Sequence, residues 1–292
     1  MKATTRTRLL FVLALFLCSL AGAPPANAEP RWSAEQANAW YRKTGWLVGC
    51  NYAPATAINQ LEMWQADTFD LATIDRELGW AESLGFNSIR VFLHDQLWEQ
   101  DPKGFTRRMD QFLKVAAKHR IGVMFVLFDS VWDPNPKLGT QRAPRPHVHN
   151  SGWVQSPGAA ILRDPSRHDS LKGYVQGVMR RFRKDKRIHA WDLINEPDNT
   201  NGNSYGSQEP PNKPALAFAL LKKVYAWARE VDPRQPLTTG VWLGDWSSPE
   251  KMSPLDRYQV EEADIITFHN YGDLQEMTRR VQWLRRYGRP VL

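Results

Sequence analysis

Trp191-Asp192-Leu193-Ile194-Asn195-Glu196-Pro197-Asp198 is the stretch on which the reading of this chain turns. It continues an apolar run from Ile188 and reads as a buried strand that stops at Asn-Glu-Pro, with a carboxylate on its last position and an amide beside it. Pro197 cannot donate to a sheet ladder, so pairing ends there. Burial and neighbouring carboxylates at a strand mouth raise a carboxyl pKa, which suits Glu196 to hand a proton to a leaving group. The plain alternative is a solvated acid at an ordinary strand end.

Outward from this stretch the same unit repeats. Upstream, Ser33 caps a short helix to Lys43, and Trp46 to Cys50 reads as a buried strand followed by a loop over residues 51–69. Leu71, Ile74, Leu78, Ala81 and Leu84 have helical spacing, Gly85 stops that helix, and Ser88 to Leu93 is the next strand. Phe105, Met109, Phe112, Leu113 and Ala116 make a second helical face, and Val123 to Phe128 a third strand. Leu171, Val175, Val178 and Phe182 lead into the strand that carries Glu196. Downstream come a helix at Leu216, Leu220, Val224 and Trp227, strands over 237–242 and 264–269, a helix at Leu274 to Leu284, and the start of a further strand at 289–292. Near-continuous apolar strands alternating with amphipathic helices predict a parallel sheet covered by helices.

Loop lengths indicate which edge of that sheet works. Helix-to-strand connections are brief, as at Gly85-Phe86 and Arg120-Ile121, whereas strand-to-helix connections are long and aromatic, the extreme being residues 130–168. Loops of that size inside a domain are usually functional. In an α/β barrel of about 250 residues the active site lies at the C-terminal ends of the strands, where Glu196 and these loops fall. An open doubly wound sheet is the alternative, but no strand is followed by Gly-x-Gly-x-x-Gly. The expected fold is a (β/α)8 barrel.

Composition adds limits. The 292 residues carry a net charge of +7, of which Lys2, Arg6 and Arg8 supply three, leaving +4 after residue 28 and no basic block. That argues against a nucleic-acid partner. The basic start, the apolar run Leu9 to Leu20 and the small-residue site Ala26-Asn27-Ala28 read as a secretory signal over 1–28, cleaved after Ala28. The run is short for a bilayer and broken by Pro24-Pro25, so no stable membrane anchor is expected, and the protein is expected to be secreted or periplasmic. Cys18 leaves with the signal, and Cys50 then has no partner for a disulfide. A monomer is the default.

With Asn-Glu-Pro at the end of the fourth barrel strand, the chain resembles clan A of the glycoside hydrolases, most closely glycoside hydrolase family 5. The resemblance covers nearly all of residues 29–292, about six and a half of eight βα units. It implies that Glu196 is the general acid/base and that Asn195 binds the sugar 2-hydroxyl. It also implies that Arg90 supports the catalytic carboxylates and that His269 and Tyr271 line the cleft. Retaining hydrolysis needs two carboxyl groups about 5 to 5.5 Å apart. Arg90 is expected to keep the nucleophile ionised, and the nucleophile's charge to keep Glu196 protonated. In this family the nucleophile is a glutamate at the end of the seventh strand, which the numbering places beyond Leu292. The expectation is therefore a C-terminally incomplete barrel and a fragment of a longer reading frame. The third strand ends in Phe128-Asp129-Ser130, where many relatives carry a histidine-containing motif.

Tryptophan faces stack on pyranose rings, so Trp132, Trp153, Trp242 and Trp246 are candidate sugar platforms, with Trp64 and Trp98 weaker ones; about half of such residues would be core instead. Asp129, ahead of Asp95 and Asp245, is the preferred carboxylate for a sugar hydroxyl. His147 and His149 lack a third ligand at suitable spacing, so neither a metal nor any other cofactor is expected. The expected partner is a β-1,4-linked oligo- or polysaccharide (mannan, xylan or cellulose). A non-catalytic carbohydrate-binding barrel or an inactive truncated pseudoenzyme is the second reading, and a nucleotide-dependent α/β enzyme is disfavoured by the missing phosphate loop.

Overall fold

The computed structural model describes residues 31–202 and 204–292, so the signal expected over 1–28, with Cys18, lies outside the described residues. Helix α1 (Ala34–Thr44) is the first element among the described residues, with Ser33 and Gln36 forming a capping box. Strand β1 (Gly49–Asn51) follows, then α2 (Gln60–Trp64) and α3 (Leu71–Ser83), β2 (Ser88–Phe92), α4 (Asp95–Gln100) and α5 (Pro102–Lys118). Next come β3 (Gly122–Asp129), α6 (Ala159–Leu162), α7 (Lys172–Phe182), β4 (Ile188–Asn195), α8 (Lys213–Arg229) and β5 (Leu237–Thr238). The last helices are α9 (Pro254–Glu262) and α10 (Leu274–Leu284).

The five strands form one parallel sheet in the order β1-β2-β3-β4-β5. Ile89 lies beside Val123, Val126 beside Asp192, and Trp191 beside Leu237. Parallel bridges at Val241–Phe268 and Ile266–Val291 carry the same ladder through two more positions. This is the curved parallel sheet with outer helices that the alternating pattern predicts. All eight residues of β3 are buried, as a strand covered on both faces must be. The main core lies between strands and helices, around Trp64, Phe105, Phe112, Phe125 and Trp191. A smaller cluster of Ala37, Met124, Ala190 and Ile265, with Trp32 and Trp40 partly buried on it, seats α1 against the first residues of the strands. The N-terminal end of the barrel is thus stoppered, and its other end is left for chemistry.

Several elements depart from the sequence reading. All three residues of β1 are exposed, because among the described residues the strand has β2 as its single ladder partner. The 51–69 loop contains α2, which Asn59 caps by accepting from the backbone N–H groups of Leu61 and Glu62. Helix α9 was readable in Ser253-Pro254 followed by Asp256, which form a second capping box. The strand expected over 237–242 stops at Thr238, and the Gly240 carbonyl accepts from the Gln259 side chain of α9 instead of continuing the strand.

Candidate active site

The C-terminal mouth of the sheet is built from consecutive strand ends. Glu196 follows the last residue of β4 and takes φ 43°, the left-handed region that non-glycine residues rarely enter. Side chains alternate across a strand, so this break lets Asn195 and Glu196 both serve the mouth. The Glu196 carboxyl is buried. Its Oε1 lies 2.7 Å from His269 Nδ1 and accepts from the Tyr271 hydroxyl at 3.5 Å, while its Oε2 accepts from Asn199 Nδ2 at 2.7 Å. Burial pushes this carboxyl up, but the His269 and Asn199 contacts and the charge of Arg90 outweigh it, leaving it below the ordinary glutamate range. The expectation that the surroundings keep Glu196 protonated does not hold for these groups alone.

Arg90, on the third residue of β2, donates through Nε and Nη2 to Asp192 Oδ2 at 3.0 and 2.6 Å, and through Nη2 to Asn195 Oδ1 at 2.9 Å. Asp192 was missed in the sequence reading. It stands four residues before Glu196, on the same face of a period-two strand, which is the signal that would have found it. Asn195 Nδ2 in turn donates to Asp129 Oδ1 at 2.8 Å. The amide is therefore held between a cation on its oxygen and a carboxylate on its nitrogen, which sets which end is which. Each end keeps capacity for one more hydrogen bond.

Asp129 itself is 0% exposed, so it is not the direct sugar ligand that the sequence suggested. Burial pushes its carboxyl up to about 7, against hydrogen bonds from Asn195 and the Val131 N–H, with the Glu196 charge raising it further. Trp246 is also corrected: it is 1% exposed, lies in a second core with Val241 and Ile266, and bonds its indole N–H to the Leu243 carbonyl. Trp64 is likewise core. Asp95 is buried and accepts from the Ser156 hydroxyl at 2.6 Å, and Asp245 is an exposed partner of Lys251.

Of the other aromatic candidates, Trp98 packs on the main core against Gly177 of α7 instead of joining this set, while Trp132, Trp153 and Trp242 follow the strand ends. Trp242 is partly buried and donates from its indole N–H to Asp198 Oδ1 at 2.6 Å, two residues past Glu196. Trp153 packs edge-on against Phe92, whose other neighbour is the Arg90 guanidinium. Trp132, three residues past the end of β3, meets His149 edge-on at 5.3 Å. Below the mouth, a cavity of about 340 Å³ is lined by Asn51, Arg90, Asp192, Thr267 and His269.

This set of a buried carboxyl, a fixed amide, an arginine–carboxylate pair and partly exposed aromatic side chains can exchange a proton with a leaving oxygen while holding a hydroxylated ring. The fold recurs in known proteins. The fold resembles the β-mannanase of the blue mussel Mytilus edulis, at 16% identity over 78% of this chain and 71% of that one, with a TM-score of 0.53. It also resembles the endo-1,4-β-mannanase of Rhizomucor miehei, at 16% identity over 80% and 74% of the two chains, with a TM-score of 0.54. The endo-β-1,4-mannanase of Thermotoga petrophila aligns over 86% of this chain and 61% of that one, at 14% identity and a TM-score of 0.52. No curated protein sequence matches significantly. The sequence profile of Cellulase (glycosyl hydrolase family 5) matches residues 60–289, most of the chain. The protein therefore belongs to glycosyl hydrolase family 5 and is a glycoside hydrolase built on the TIM-barrel fold.

Proposed function

We propose that the protein is an exported, retaining β-glycosidase that cleaves a β-1,4-linked polysaccharide or its oligosaccharides, with mannan the first substrate to test and xylan and cellulose the others. The observation that carries this reading is the Glu196 carboxyl, buried at the mouth beside His269 and next to an Asn195 amide clamped by Arg90 and Asp129. In the first half of the reaction Glu196 gives its proton to the glycosidic oxygen as the bond to the anomeric carbon breaks. The nucleophilic carboxylate, a glutamate expected just beyond Leu292, forms the glycosyl ester from the opposite face. In the second half Glu196 takes a proton from the water that displaces the ester, so the enzyme is regenerated. The lowered carboxyl of the unliganded site suits this second, basic role. For the first, a bound glycan that excludes water and the charge of the nucleophile both raise it. Asn195 offers its free N–H or lone pair to the sugar 2-hydroxyl.

The test uses the protein expressed from its full reading frame. Glu196→Ala should lower turnover of mannan and of unactivated oligosaccharides by about 10²–10⁴-fold, and that of a dinitrophenyl glycoside far less, since a good leaving group needs no acid. Equal losses on both would sink the assignment. A wild-type protein that binds hexasaccharides and turns over neither substrate would favour the carbohydrate-binding reading. Export is checked separately by N-terminal sequencing of the protein outside the cytoplasm, which should begin at Glu29.

A further inference from the structure

Trp132 holds its backbone at φ 83°, a left-handed conformation that a bulky side chain rarely adopts, so its surroundings must hold it there. They do so through one side chain. The Asn201 amide spans the Trp132 residue, its Oδ1 accepting from the Trp132 N–H at 3.2 Å and its Nδ2 donating to the Trp132 carbonyl. The second Nδ2 hydrogen goes to Glu209 Oε1 at 3.0 Å. Glu209 is paired at 2.5 Å with Lys213, which is 0% exposed and also donates to the Ser130 carbonyl, two residues before Trp132. This buried pair decides which end of the Asn201 amide is oxygen, and so locks the orientation that Trp132 needs. On its other side the Asn201 N–H donates to Asn199 Oδ1 at 2.8 Å, and Asn199 donates to Glu196. One loop residue thus stands in hydrogen-bonded continuity with both the acid and the aromatic face.

We propose that Asn201 is a positioning residue that fixes the Trp132 indole as a pyranose platform at a set place relative to Glu196. This rests on the reading of Glu196 as acid/base and of the substrate as a β-1,4-linked glycan. Glutamate and lysine at 209 and 213 act through Asn201 rather than on the sugar.

The experiment labels the full-length protein with 5-fluorotryptophan and assigns the Trp132 resonance with W132F. Asn201→Gly is the variant of choice, because Asn201 sits at φ 59° and glycine accepts that backbone without strain. In N201G the Trp132 resonance should shift or broaden while that of Trp153 stays in place. Mannohexaose affinity should fall about tenfold, the worth of one aromatic stacking contact. W132A should cost the same factor, and the N201G/W132A pair no more than either change alone. An unmoved Trp132 resonance, or losses that multiply in the double variant, overturns the inference. A wild-type protein that ignores mannohexaose, cellohexaose and xylohexaose alike overturns the substrate reading instead, and the resonance still decides whether Asn201 holds Trp132.

Discussion

Asp129 and Trp132, three residues apart, are held in states that an isolated residue avoids. Unfolded, the Asp129 carboxyl titrates near 3.8; folded, it titrates at about 7. Across that interval the folded chain keeps a proton that the unfolded chain has released. The stability this group contributes is complete below the unfolded value and is lost as pH rises through about 7. Asp129→Asn cannot ionise and still offers an oxygen to Asn195. The variant should therefore gain on the wild type, by an amount on the order of a few kcal/mol, between pH 4 and pH 8. Urea denaturation at the two pH values measures this, and a pH-independent difference would reject it. At Trp132 the strained φ predicts an inversion of the usual ranking. Trp132→Gly should be more stable than Trp132→Ala by about 1 kcal/mol, although glycine normally pays more backbone entropy. A thermal melt of both variants decides it.

Stability is unevenly spread at the level of elements. Gly49 of β1 lies so close to the Ser88 carbonyl that a β-carbon would stand 1.6 Å from that oxygen, so no other residue fits this pairing. Yet β1 is exposed along its length, whereas β3 is buried at every position and paired on both sides. Amide exchange in β1 should therefore be roughly a hundredfold or more faster than in the middle of β3. Equal protection in the two strands would mean that β1 opens only with the whole molecule. The long helices and the central strands were legible because their apolar period runs over many residues. The short helices α2, α4 and α9 were not, since five to nine residues hold too little of a 3.6-residue period, and only their caps announce them.

Across the whole molecule, distant segments are tied by one buried carboxylate. Asp264, 0% exposed, accepts from the Trp32 N–H, the Leu237 N–H and Arg229 Nη1, each at 2.8 Å. It thereby joins the segment before α1, the start of β5 and the end of α8. Asp264→Ala leaves the buried Arg229 guanidinium without its carboxylate and should cost about 3–5 kcal/mol, read as a lower urea midpoint. The amino-acid order alone was enough for the alternation of strand and helix, and the family's motifs within it pointed to Asn195, Glu196, Arg90, His269 and Tyr271, which the fold brings together. Each of these is written in a local period, a proline stop or a short motif. Which tryptophans are open and which are core was decided only by tertiary structure, as Trp242 and Trp246 demonstrate four residues apart. So were the Arg90–Asp192 pair, the concealment of Asp129, and the Asn201 bridge to Trp132. Those contacts join residues tens of positions apart, and burial and charge act through distance in space, which no local pattern of residues encodes.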